Sequence, residues 1–75
     1  MGSMKTPPTV TQIQRRYIDT VNGAQPRYRA LVRSNARQRA LRDLSHWEFP
    51  IEQSEQIIAD ARAIEVLERL AAEAR

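Results

Sequence analysis

The side chains able to carry chemistry collect in one short stretch, Leu44-Ser45-His46-Trp47-Glu48-Phe49-Pro50. His46 is the sole histidine and stands two positions before Glu48. A histidine near a carboxylate suits a general base or a metal ligand. A base also needs an orienting group and a pocket, and a metal needs three or four ligands at usable spacing. Neither set can be found in the chain. We therefore expect no catalytic residue, no metal ligand and no cofactor, and read the protein as non-enzymatic, with His46 a partly exposed hinge residue. Ser45-x-x-Glu48 fits a helix capping box and predicts a single capped turn before Pro50. Trp47 and Phe49, the only Trp and Phe, can serve either as aromatic anchors for a partner or as core plugs. For so small a core, one of them is expected inside.

The arginines offer a second kind of chemistry. Arg29 and Arg33 share one helical face, and Arg39 and Arg42 share another. A helix, a turn at Ser34-Asn35 and an Arg-bearing second helix resemble a helix-turn-helix, whose second helix reads guanine edges in the major groove. The segment Asn35-Ala36-Arg37-Gln38-Arg39-Ala40 also resembles the Arg-rich peptides that phages use to bind RNA. Arg37, Arg39 and Arg42 are the candidate nucleic-acid contacts on either reading. The competing reading is a solvated charged face, partly neutralised by acids later in the chain.

Length and charge bound what these residues can do. Seventy-five residues without a cysteine make one small domain with no disulfide and no thiolate metal site, so its core must rely on tight helix packing, self-association or a partner. The absence of a signal-like apolar segment or a long apolar run points to a cytoplasmic protein that does not enter a membrane. Charge is unevenly spread. Nine Lys/Arg face two Asp through Leu44, a balance of +7, and three Arg face seven Asp/Glu from Ser45 on, a balance of −4. Residues 44–50 thus read as a hinge folding a basic half onto an acidic one. The sequence pI near 10.2 suggests polyanions or an acidic protein surface as partners, although the net charge is only +3.

The elements that position these groups follow from periodicity. Residues 1–3 ahead of a second Met read as a cloning scar, residues 4–8 as a flexible lead-in, and residues 9–75 as a single helical domain. Thr9 with Gln12, or Thr11 with Gln14, fits a capping box opening a first helix. Its stripe is Val10, Ile13, Tyr17, Ile18 and Val21, and Asn22-Gly23 is expected to end it with Gly23 left-handed. Between Pro26 and Leu44 the apolar face swings by over a third of a turn when plotted at 100° per residue. That predicts two helices, residues 26–33 and 35–44, broken at the cap-like Ser34-Asn35. After Pro50 one long helix is expected from Ile51 to about Glu73. Its stripe is Ile57, Ile58, Ala61, Ile64, Leu67, Leu70 and Ala71, and Glu65 and Arg69 form a surface i,i+4 pair. The expected fold is all-α, a bundle of about four helices: three short and basic, one long and acidic.

The size, the Met4-Lys5-Thr6-Pro7-Pro8 start, the Ala/Arg-rich helices and the lack of catalytic apparatus together resemble the small phage-encoded transcription regulators that bind host RNA polymerase, of the Xanthomonas phage type. The resemblance implies an all-helical body that binds a short polymerase segment, inhibits promoter-dependent initiation and can promote antitermination; the chain itself is expected to be a monomer. A partner helix would lie in an apolar groove with charges at its rim. The candidate groove residues are Ile13, Tyr17, Trp47 and Phe49, with Arg33, Arg37 and Glu48 at the edge. Two alternatives stand beside this: the nucleic-acid-binding domain described above, and a structural subunit that oligomerises through its last helix.

Overall fold

A computed structural model describes residues 8–75. The expected scar at residues 1–3, and all of the lead-in except Pro8, lie outside the described residues. The chain forms α1 (Val10–Asn22), a 3-10 turn (Pro26–Tyr28), α2 (Arg29–His46) and α3 (Ile51–Glu73). No strand occurs among the described residues, so the all-α expectation holds, with three helices in place of four.

α1 starts where the capping box places it. The Thr9 hydroxyl accepts from the Gln12 amide at 3.1 Å, and Gln12 Oε1 accepts from the Thr9 amide at 2.8 Å. The alternative box at Thr11 is unused, because Gln14 reaches across to α3. Ile13, Tyr17, Ile18 and Val21 are buried and Val10 packs at their edge. The helix does end at Asn22, but Gly23 is right-handed, with φ −79° and ψ −10°. The turn there instead comes from the extended Gln25 ahead of Pro26, the conformation a following proline favours.

The expected break at Ser34-Asn35 does not exist, and α2 runs unbroken through both residues. The two-helix expectation assumed that every apolar residue must be buried. Leu31 stays 62% exposed and Tyr28 is exposed beneath Arg27. The inward stripe of α2 is Arg29, Arg33, Ala36, Ala40 and Leu44, so guanidinium groups take core-facing positions in its first half.

The stretch at residues 44–50 reverses the chain by a different device from the one expected. Ser45 belongs to α2, and no Ser45–Glu48 capping box forms. The Phe49 amide donates to the Leu44 carbonyl and the Glu48 amide to the Ser45 carbonyl, both at 3.0 Å. This paired pattern is a Schellman motif, with Glu48 at the left-handed position (φ 65°) that glycine normally occupies. Phe49 then packs on the core, while Trp47 stays 38% exposed, edge-on to His46. One aromatic of the pair is inside, as expected, and it is Phe49.

α1 and α3 run parallel with α2 antiparallel to both. Gln14 Nε2 donates to the Ile57 carbonyl and Asn22 Nδ2 to the Glu65 carbonyl, each at 3.0 Å and each across 43 residues of sequence. The shared core is Ile13, Tyr17, Ile18 and Val21 of α1, Ala36, Ala40 and Leu44 of α2, and Ile57, Ile58 and Ala61 of α3. No helix among the described residues is long and apolar enough to cross a membrane.

A left-handed non-glycine residue is strained by about 1–2 kcal/mol, and the greater unfolded-state freedom of glycine returns up to about 1 kcal/mol of that. Glu48→Gly is therefore expected to stabilise the fold by roughly 0.5–1 kcal/mol, read as a melting temperature raised by about 2–8 °C. A melt that falls would show that the Glu48 side chain has a structural role beyond the turn.

Candidate functional site

The polar centre of the bundle is Glu65, whose side chain is fully buried. Its Oε1 accepts from Arg33 Nε of α2 at 3.0 Å, and its Oε2 accepts from Arg69 Nη1, one turn further along α3. The sequence suggests a weak surface pair between Glu65 and Arg69. The structure corrects this: the pair is buried and joined by a third member, because Glu65 takes a core position on α3 while Leu67 and Leu70 of the expected stripe face outward. Burial pushes the Glu65 carboxyl up, but the hydrogen bonds and charges of Arg33 and Arg69 outweigh it and hold the group below its ordinary range. Tyr17 is raised, by burial first and then by the negative field of Glu65. On the bundle surface, Arg15 forms a bidentate pair with Glu68 at 2.9 and 2.5 Å and a further contact with Asp19 at 3.2 Å.

These pairings sort the arginines. Arg15, Arg33 and Arg69 have carboxylate partners, whereas Arg16, Arg37, Arg39, Arg42 and Arg62 have none within 4 Å among the described residues. Of the unpaired ones, Arg16 and Arg39 line one groove and Arg37 and Arg62 another, on opposite sides of α2, and Arg42 lies outside both.

The first groove, between α1 and α2, encloses about 290 Å³. Ile13, Tyr17, Ala36 and Ala40 form its floor, and Arg16, Arg39, Asn35 and Asp43 its rim. It exists because α2 presents two alanines where bulkier residues would close the gap. The second lies between α2 and α3 and is lined by Arg33, Ser34 and Arg37 of α2 and by Glu55 and Arg62 of α3, with Tyr17 below. Tyr17 borders both.

The residues put forward from sequence are therefore dispersed. Ile13 and Tyr17 are core residues that border the α1–α2 groove, Tyr17 bordering the second groove as well. Arg33 is committed to Glu65 and is not a free rim charge. Arg37 is exposed in the second groove. Trp47, Glu48 and Phe49 sit together at the α2–α3 turn and line neither groove. Arg39 and Arg42 lie on the outer side of α2 with Asn35 and Gln38, and Arg39 also reaches the first groove. With no turn at Ser34-Asn35, the helix-turn-helix likeness loses the bend it needs. Sequence reasoning missed Arg16, Ala36 and Ala40 as groove residues. Arg16 directly precedes the apolar Tyr17-Ile18 pair, and the i,i+4 alanines were the available signal.

His46 has no acidic partner within 4 Å, and no group of three or more His, Asp or Glu among the described residues is arranged to hold a metal ion. Comparison with protein-family models, curated proteins and solved structures returned no match.

Removing one partner from a buried ion pair leaves uncompensated charge and costs about 3–5 kcal/mol. Glu65→Gln is therefore expected to lower the melting temperature sharply, while Glu68→Gln, at an exposed pair, leaves it nearly unchanged. The pH sign follows from the lowered Glu65 value. Its contribution is complete above the ordinary value of 4.5 and is lost as pH falls through the folded-state value. Stability should drop below about pH 4.5 in the wild type, and less steeply in Glu65→Gln, as read by circular dichroism melts.

Proposed function

We propose that this chain is a non-enzymatic regulatory protein that docks a short acidic, amphipathic segment of a protein partner in the α1–α2 groove. We further propose that the partner is bacterial RNA polymerase, with promoter-dependent initiation inhibited and antitermination promoted. The groove carries the docking mode: an apolar floor of Ile13, Tyr17, Ala36 and Ala40 between the free cations Arg16 and Arg39. Its volume is at the low end for ligand pockets, roughly 300–1,000 Å³, and suits one or two aliphatic side chains of a helix laid along it. The rim favours Asp or Glu beside those side chains and steers their approach. The choice of polymerase rests on the resemblance in size, N-terminal start and Ala/Arg-rich helices.

Binding of purified bacterial RNA polymerase to the immobilised chain tests both parts. Wild type should retain the polymerase, and Arg16→Glu with Arg39→Glu should weaken binding by about tenfold or more, each tenfold being about 1.4 kcal/mol. Retention of no polymerase by the wild type would remove the partner assignment. Full binding by the double reversal would remove the groove.

A second reading is supported by the outer side of α2, where Arg39 and Arg42 stand beside Asn35, Gln38 and Asp43, with neither arginine within 4 Å of a carboxylate among the described residues. A nucleic acid held there would be lost steeply with salt, log K falling by about 0.9 per neutralised phosphate on duplex DNA. Arg42 lies outside the groove. Arg42→Ala should therefore weaken a gel shift on DNA or RNA while leaving polymerase retention intact, and no shift at low salt would dismiss this reading.

A further inference from the structure

We propose that the outer face of the last three turns of α3 is a homodimer seam, on which a second copy of this chain packs antiparallel. Asn22, the last residue of α1, donates to the Glu65 carbonyl through its side chain, and Glu68, further along α3, reaches back to Arg15 of α1. On the opposite face of the last three turns of α3 the usual polarity of a surface helix is inverted. Glu65, Glu68 and Arg69 engage the rest of the chain, while Ile64, Leu67 and Leu70 are 38, 66 and 54% exposed. An outward apolar face with its charges turned inward is a surface that something covers.

The order of residues along that face selects a second copy. Ala63, Leu67, Leu70 and Ala74 are spaced four, three and four apart, the spacing of a two-helix seam. Their sizes run small, large, large, small, which reads the same in both directions. A twofold axis across an antiparallel pair then sets Ala63 against Ala74 of the second copy and Leu67 against Leu70, so each layer joins residues of one size. Charge agrees with this direction. The antiparallel register brings Asp60 of one copy to the end of the seam that holds Arg75 of the other, whereas a parallel pair would stack Asp60 on Asp60 and Arg75 on Arg75.

So short a seam buries less than the roughly 800 Å² per partner of a standard interface, so the dimer is a weak one that forms with rising concentration. The seam lies on the side of α3 turned away from α1 and α2, so both α1–α2 grooves stay open in the pair. A target with two segments would then be held bivalently.

Sedimentation velocity of the full chain from about 10 µM to about 1 mM should show the sedimentation coefficient rise toward that of a dimer. Leu67→Glu should stay monomeric throughout with unchanged helicity, since Leu67 is exposed. A wild type that is monomeric at the highest concentration, or a Leu67→Glu that dimerises normally, overturns the proposal. Geometry is read separately by oxidation of cysteine variants. An equimolar mixture of Ala63→Cys and Ala74→Cys should cross-link between the two variants, with little linking within either one. Efficient linking within Ala63→Cys alone would mean a parallel pair and refute the antiparallel seam. Neither result bears on the α1–α2 groove, whose residues these variants leave in place.

Discussion

A buried carboxylate with two guanidiniums holds this bundle in one arrangement. Moving Glu65 out of water alone would cost several kcal/mol, and the position is tolerable only because Arg33 and Arg69 reach it. Its backbone carbonyl meanwhile receives the Asn22 amide. One residue of α3 is thereby tied to α1 through its main chain and to α2 through its side chain. Replacing such a triad by well-packed apolar residues often leaves a protein equally or more stable. What the triad adds here is definition, since a core with only Ala36, Ala40 and Leu44 from α2 has few shaped contacts to set that helix's rotation. Not every polar group at this end is answered: Arg29 Nε and Asn22 Oδ1 are sealed from solvent without a partner.

The groove beside α1 depends on that rotation. With Arg33 drawn inward to Glu65, the helix turns Ala36 and Ala40 toward α1 and leaves Arg39 at the edge of the gap. Small side chains here let two helices lie together without filling the space between them. The same two alanines that thin the core thus open the site, and Arg16 completes its rim from α1. Arg37 falls on the opposite side of α2, which is why the arginines adjacent in sequence do not act as one patch.

Much of the fold could be read from local chemistry. The Thr9–Gln12 box, the stripe from Val10 to Val21 and the boundaries of α3 all depend on neighbours within one helix, and they emerge as expected. The failures share a cause: each judged polarity one residue at a time. The swing of the apolar face that divides α2 at Ser34-Asn35 counts Tyr28, Leu31 and Val32 as residues to be buried and leaves Arg33 out of the count. In the fold these roles are exchanged, because a carboxylate 32 residues away makes Arg33 the better core residue. Glu65 was misjudged for the same reason, as a surface partner of Arg69. The Ser45–Glu48 spacing fits both the start and the end of a helix, and only the carbonyls of Leu44 and Ser45 decide between them. Of the groove, Ile13 and Tyr17 were legible because they are apolar and periodic. Arg16 and the two alanines were not: nothing at Arg16 says that α2 passes close by, and the i,i+4 spacing of Ala36 and Ala40 signals a close approach without saying that α1 is what approaches.

The parallel alignment of α1 and α3 bears on the order in which the chain can fold. α1 and α2 are neighbours in sequence and can pair as a hairpin as soon as both exist. α3 must return across the whole length of α2 before Gln14 and Asn22 meet their carbonyls. Contacts between segments so far apart close late, because the loop entropy is spent before they give anything back. Until that step the hairpin leaves the Arg33 guanidinium and the apolar side of α1 in water, and Glu65 carries its charge in solvent. Docking of α3 is then a single event that buries the carboxylate, completes the core and sets the register with two amide clasps two turns apart. A nascent chain in which α3 has not yet emerged would lack all three at once, so the appearance of α3, more than any local helix propensity, is the point at which this bundle becomes a folded one.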